Sequence, residues 1–324
     1  MITAVDDRSI RGLRAPKPAV DPWHAHGTQI DEERRPNGTI ERGLTVFLAG
    51  AECPFTCSFC DLWRWTIDGP TPRGALPAQI TTVLQSLNGT AQPDRLKLYN
   101  ASNFFDKRAV PADDIPVIAS LTAPFAAVTV ESHASMVGPP ALELAERIEG
   151  QLEIAIGLET IHPVAAERLN KRLDLATFDR AAGFLRHNEI DLRVFVLLGA
   201  PHVPADESVE WTVRSVEHAA RQGASLVSII PVRGGNGALE RLQSLGHFTP
   251  PTLLELEDAV DQCLTFAPTV VCADLWDVDR LVDCFGCGAA RIERLRRVNV
   301  GGRPEPRVSC SQCDSAGSKG VRLL

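Results

Sequence analysis

Three cysteines in one short stretch, Cys53-Pro54-Phe55-Thr56-Cys57-Ser58-Phe59-Cys60, set the terms for the rest of the chain. Their C-x3-C-x2-C spacing lets one loop wrap three corners of an iron–sulfur cube, for which thiolates are the usual ligands. Three ligands instead of four leave one iron open. Open metal sites host substrate chemistry, whereas fully ligated ones are typically structural or electron-carrying. Phe59 puts an aromatic face beside the open corner. A zinc loop and three unrelated cysteines are the competing readings. Zinc takes four ligands, usually in pairs, and no fourth Cys or His lies near this stretch.

The other cysteines are Cys263, Cys272, Cys284, Cys287, Cys310 and Cys313, making nine. An odd number grouped in a triplet and pairs does not describe a disulfide framework; it describes metal ligation in a reducing compartment. Cys284, Cys287, Cys310 and Cys313 form two C-x2-C knuckles, a pattern that suits structural zinc and would equally hold an auxiliary iron–sulfur cluster. Cys263 and Cys272 read as small buried hydrophobes. The formal charge of −8 supplies no basic field for nucleic acid. No apolar run approaches a membrane span, and the first residues lack the pattern of a secretory signal, so a cytoplasmic protein without membrane contact is expected.

The 324 residues divide by pattern. Residues 1–40, broken by Pro16, Pro18, Pro22 and Pro36, read as an irregular arm. Residues 41–275 alternate short apolar runs with helical patterns. The runs at 44–48, 96–99, 127–131, 152–158, 192–198 and 226–231 are strand candidates, with a later one at 269–273. Helices are expected at 77–87, 112–121, 140–148, 163–169 with 176–187, 206–222 and 251–266. Gly89 and Gly223 fit helix C-caps. Six strand–helix units predict an α/β fold with parallel strands, either a partial (β/α)6 TIM-type barrel or an open doubly wound sheet. Residues 276–324 form a small C-terminal cysteine-rich metal-binding extension, with a basic helix at 290–297 whose arginines read as a solvated face.

In parallel α/β folds, chemistry gathers beyond the carboxyl ends of the strands. The candidates there are Asn100, Ser102 and Asn103 after the second strand, and Glu131 and His133 after the third. Gly157 and Glu159 follow the fourth, His202 the fifth, and Gly234 and Gly235 the sixth. Asn170, Lys171 and Arg172 are open between a ligand contact and a solvated run. Arg193 lies within the fifth strand, where an unpaired charge is costly. It either binds a carboxylate ligand or pairs with a barrel carboxylate.

The cysteine stretch, read as Cys53, Cys57, Phe59 and Cys60 after a first strand, resembles the radical S-adenosylmethionine (SAM) superfamily. The segments Asn100-Ala101-Ser102-Asn103 and Gly157-Leu158-Glu159-Thr160 are similar to the elongator-type and archaeosine-synthase-type members. The Gly-Gly-Glu segment that many members use to receive the SAM amino group is missing. The resemblance covers roughly residues 40–240 and selects the partial barrel. It implies that Cys53, Cys57 and Cys60 hold a [4Fe–4S] cluster and that SAM chelates the open iron. Phe59, Asn100, Ser102, Asn103, Glu131, Glu159, Arg193, Gly234 and Gly235 would then contact SAM. Reductive cleavage gives a 5′-deoxyadenosyl radical that abstracts hydrogen from a substrate. The implied partners are a small-molecule substrate and a low-potential flavodoxin or ferredoxin. A tRNA- or nucleoside-modifying enzyme is the second expectation, and a non-catalytic iron–sulfur carrier or sensor belongs to another class.

Overall fold

The computed structural model describes residues 6–87 and 91–315. The features read at residues 1–5 and the cap at Gly89 lie outside them. A short helix α1 (Asp7–Gly12) precedes β1 (Gly27–Arg34) and β2 (Ile40–Phe47). Then follow α2 (Ala75–Ser86), β3 (Arg95–Tyr99), α3 (Ile115–Thr122), β4 (Ala127–Ser132), α4 (Pro139–Ala145) and β5 (Gln151–Glu159). After these come α5 (Pro163–Arg168), α6 (Leu175–His187), β6 (Asp191–Leu198), α7 (Ser208–Arg221), β7 (Leu226–Pro231), α8 (Ala238–Ser244), α9 (Leu253–Cys263) and β8 (Val270–Ala273). The chain continues through α10 (Gly288–Gly301) to α11 (Ser311–Ser315). All eight strands form one sheet in the order β1 to β8, bent into a nearly closed barrel. β2 to β8 are parallel, as expected, and β1 is antiparallel to β2.

β1 corrects the reading of residues 1–40 as irregular. Its sequence, Gly-Thr-Gln-Ile-Asp-Glu-Glu-Arg, has no apolar run to announce a strand. It is a strand because β2 supplies its hydrogen bonds and the barrel interior takes its acids.

Strand residues alternate between two faces. The outward face is apolar: Leu44, Val46, Leu96, Leu98, Val128, Val130, Ile154, Ile156, Val194 and Val196 are buried against the helices. The inward face near the amino ends of the parallel strands is charged. Glu153 accepts from Arg35 at 2.8 Å and from Arg193 Nε at 2.9 Å, and Thr129 Oγ1 donates to it at 2.9 Å. Arg193 also grips Glu33 with two bonds of 2.9 and 2.6 Å. Lys97 lies 2.7 Å from Glu33 and 3.1 Å from Asp31, and Arg95 lies 2.8 Å from Glu41. At Gly43 a Cβ would sit 2.9 Å from Lys97 Cε, so the glycine leaves the space that Lys97 fills. Arg193 is therefore a plug residue on the third position of β6, remote from the strand's carboxyl end. Its contact with SAM is not borne out; the ion pair is.

Burial opposes the charged form of Glu153, but Arg193, Arg95 and Arg35 overcome it and hold its carboxyl far below the usual range. Glu33 behaves the same way under Arg193 and Lys97.

The barrel has two free edges, β1 and β8, and α10 packs against both. Asn299 of α10 bonds the β8 edge twice: Ala273 N donates to its Oδ1 at 2.8 Å, and its Nδ2 donates to Ala273 O at 2.9 Å. The basic helix is thus only partly solvated. Arg291 and Arg294 are buried, bonded to Glu257 at 2.8 and 3.3 Å, and Arg294 also meets Asp261 at 2.8 Å. Arg296 and Arg297 are the exposed pair.

Glu153→Ala removes the buried carboxylate that Arg35, Arg95 and Arg193 share, leaving Arg193 with Glu33 alone and Arg35 with longer contacts to Glu41 and Asp191, which costs about 3–5 kcal/mol. Urea unfolding should show this as a lower midpoint. Because the Glu153 pKa is depressed in the folded state, its contribution is present above the ordinary glutamate value, about 4.3, and fades as pH falls. The variant's stability deficit should therefore shrink in acid.

Candidate functional site

The three-cysteine loop leaves β2 at the carboxyl end of the barrel and is tied down from several sides. Ser58 N donates to Leu169 O at 2.9 Å. Asn170 Nδ2 donates to Thr56 O at 2.8 Å and to Asp7 of α1, also at 2.8 Å. Asn236 Nδ2 donates to Ser58 O at 2.9 Å and Cys60 O at 3.4 Å, while its Oδ1 caps α8 by accepting from Leu239 N. The ties come from Leu169 and Asn170 in the segment after β5 and from Asn236 in the segment after β7. The loop conformation is therefore set by the barrel strands that bring these segments together.

Burial pushes the Cys57 thiol up to about 12 and raises Cys53 and Cys60 as well. Three partly buried thiols that resist ionisation become good thiolates only when a metal centre compensates them. Among the described residues, Ser58 Oγ, Asn100 Nδ2 and Ser102 Oγ are buried without a hydrogen-bond partner. Buried polar atoms are nearly always paired, so these orphans mark places for an absent group. The donor set fits a thiolate-held cluster with a polar ligand beside it.

Asn103 lies beside the thiols, and its orientation is fixed. A backbone N–H can only donate, so the 2.5 Å contact from His133 N identifies Oδ1. The amide Nδ2 is thereby turned to Cys53 Sγ at 3.4 Å. Phe55 stacks on the His133 ring at 4.0 Å, and His133 Nε2 lies 3.1 Å from Lys171 O. Burial, with Lys171 nearby, brings His133 down to about 4, so its ring is neutral.

Lys171 is a site residue and not part of a solvated run. Its ammonium meets Glu159 at 2.5 Å. Burial works against that charge, but the Glu159 carboxylate beside it raises the lysine's pKa and keeps it protonated. A Cβ at Gly157 would sit 2.0 Å from Glu159 Oε1 and 2.3 Å from Lys171 Nζ. Gly157 therefore makes room for this pair. Glu159 holds a left-handed backbone, φ 67°, as do Asn170 at 55° and Arg172 at 58°.

Glu131 points into the barrel above the plug. Burial raises its carboxyl to about 8, against the opposing pull of the Asn100 N–H and Lys171. Above the plug the wall is aromatic: Phe47 lies 6.5 Å from Tyr99 and 5.6 Å from Trp276, and Tyr99 lies 6.3 Å from Phe195. Phe59 packs on the apolar cluster of Leu197, Val232 and Leu239.

Gly234 and Gly235 do not form an open cradle. Gly235 N donates to Glu240 at 2.5 Å, and a Cβ at Gly234 would lie 2.8 Å from the same carboxylate. The run is the turn that starts α8. His202 is half-buried with neither ring nitrogen paired among the described residues, 5.3 Å from the His247 ring. Asn236 is the functional residue that sequence reading missed. It sits inside the glycine run that was noted, but nothing local says that its side chain reaches Ser58.

No family model and no curated protein matches this sequence. Solved structures do match. An archaeal Elp3 from Methanocaldococcus infernus superposes with a TM-score of 0.53 at 13% identity, covering 74% of this chain and 62% of that one. This chain thus spans less than two thirds of that Elp3. Methylornithine synthase (PylB) gives 0.52 at 13% identity, over 93% of this chain and 81% of that one. A radical SAM methyltransferase from Sphaerobacter thermophilus gives 0.51 at 14% identity, over 78% and 76%. At such identities the likeness is one of architecture. With a three-thiol loop at the carboxyl end of an incomplete parallel barrel, this chain has the fold of the radical SAM enzymes.

Proposed function

We propose that this protein is a radical SAM enzyme acting on a small molecule. The observation that carries the reading is the convergence, at one end of the barrel, of three partly buried thiols with the orphaned polar atoms of Ser58, Asn100 and Ser102. When bound, the [4Fe–4S] cluster and SAM supply a carbon radical that abstracts hydrogen from an unactivated carbon. Cys53, Cys57 and Cys60 would hold the cluster. Asn100, Ser102 and Glu131 would receive polar groups of SAM, with Lys171 and Glu159 beside them and Phe59 against the adenine. Phe47, Tyr99, Phe195 and Trp276 exclude water from the space above the plug and orient the substrate there. The plug of Lys97, Glu153, Arg193 and Glu33 closes that space from below. A flavodoxin or ferredoxin would deliver the electron. The nucleic-acid reading loses its support from the basic helix, since Arg291 and Arg294 are consumed by Glu257 and Asp261.

Anaerobic reconstitution followed by dithionite and SAM should yield 5′-deoxyadenosine, and a Cys53/Cys57/Cys60→Ala variant should yield none. A cluster whose electron paramagnetic resonance spectrum ignores SAM would point to a carrier or sensor and sink the enzyme reading.

Asn103 should tune the cluster. An N–H donated to a ligand sulfur favours the more negative, reduced state. Asn103→Ala should therefore shift the midpoint potential downward in a spectroscopically monitored redox titration, with four irons per chain retained.

Glu131 should make ligand binding pH-dependent. Below about pH 8 it is protonated and must ionise to meet a cationic group. The affinity of reconstituted protein for SAM should rise toward pH 8 by up to about tenfold per unit and then level. Calorimetry on Glu131→Gln should show a flatter profile and weaker binding above pH 8.

A further inference from the structure

The four C-terminal cysteines stand apart from the barrel chemistry, and their geometry discriminates between the two metal centres their spacing allows. All four Sγ atoms lie within 4.8 Å of one another. Cys284 and Cys310 are 3.9 Å apart, and Cys287 and Cys313 are 3.7 Å apart. A tetrahedral ion with Zn–S bonds of about 2.3 Å spaces its sulfurs by about 3.8 Å. An iron–sulfur cube cannot be held this tightly, because each thiolate sits beyond its own iron at a separate corner. The two knuckles also meet beside the sulfurs: a Cβ at Gly286 would lie 2.7 Å from Gln312 Oε1.

We propose that Cys284, Cys287, Cys310 and Cys313 bind one zinc ion, and that this ion clasps α10 over the gap between the free edges of the barrel. The reading is independent of the radical chemistry. α10 begins directly after Cys287 and lies across β8 and β1. Along it, Arg291 and Arg294 reach α9, and Asn299 occupies the β8 edge. The returning strand of chain is held too. Arg294 donates to Glu305 O at 2.7 Å, and Arg307 meets Asp258 at 2.6 Å and Asp261 at 2.8 Å. It then brings Cys310 and Cys313 back to Cys284 and Cys287. Four Zn–S bonds, formed as the thiol protons leave to solvent, would close this circuit and remove much of the freedom of the unclasped chain. A soft four-thiolate cage in tetrahedral geometry selects zinc over harder divalent ions.

Metal analysis after anaerobic reconstitution tests the ion. One zinc and four irons per chain are expected. The Cys53/Cys57/Cys60→Ala variant should keep the zinc and lose the iron, and Cys310→Ser/Cys313→Ser should do the reverse. Eight irons in the wild type, or four irons surviving in the first variant, would overturn the assignment. Cobalt uptake by the wild type gives a check that needs no variant: visible bands of tetrahedral thiolate cobalt are expected, and octahedral cobalt would count against the cage. For the clasp, hydrogen exchange is compared in wild-type protein before and after zinc is stripped with a chelator. Faster exchange across Gly288–Gly301 and Val270–Ala273 is expected; unchanged exchange there would show that the ion does not hold the seam.

Discussion

Everything at the working end of this barrel depends on the charge network at its other end. Glu153 is fully buried among Arg35, Arg95 and Arg193, and Glu33 sits between Arg193 and Lys97. Most parallel barrels fill the interior with branched apolar side chains. Here charges fill it, and each must be paired because desolvation is severe. That pairing explains the odd strand. β1 runs antiparallel and contributes few apolar contacts, but it carries Asp31 and Glu33 into the lumen. Without it, Lys97 would lose both of its carboxylates and Arg193 would keep only Glu153.

A barrel plugged in this way can present loops in fixed mutual positions. The cysteine loop has no regular structure of its own and borrows its shape from Asn103, Asn170 and Asn236, each from another strand end. Three asparagines suit this task because an amide side chain both donates and accepts. Asn236 and Asn170 join the loop to α8 and α1, and Asn103 joins it to the His133 backbone. The left-handed conformations at Glu159, Asn170 and Arg172 fall in this same region, where surrounding contacts over-determine the backbone.

The seam is the mirror image of the plug. An incomplete barrel leaves two strand edges whose backbone groups need partners. α10 meets this need by packing on both edge strands, and the Asn299 amide answers one N–H and one C=O of β8. The four C-terminal cysteines sit at the start of that helix and in the chain that returns along it.

Local sequence determined a good deal. The C-x3-C-x2-C spacing named a metal loop, the apolar runs located seven of eight strands, and the paired knuckles announced a second site. These signals are legible because they repeat at short range: ligand spacing, a period of two, a period near 3.6. The contacts that join distant segments were not legible. Arg193 could be read as a ligand contact or an ion pair, and only the register of β6 beside β5 placed it next to Glu153. Gly234 and Gly235 read by themselves as an approach to a ligand, but the Glu240 carboxylate takes their place beside the turn. β1 was hidden because a strand whose inward face is acidic has no hydrophobic pattern. In each case the partner lies elsewhere in the chain, and a charge or an amide declares its role only when folding supplies the group that satisfies it.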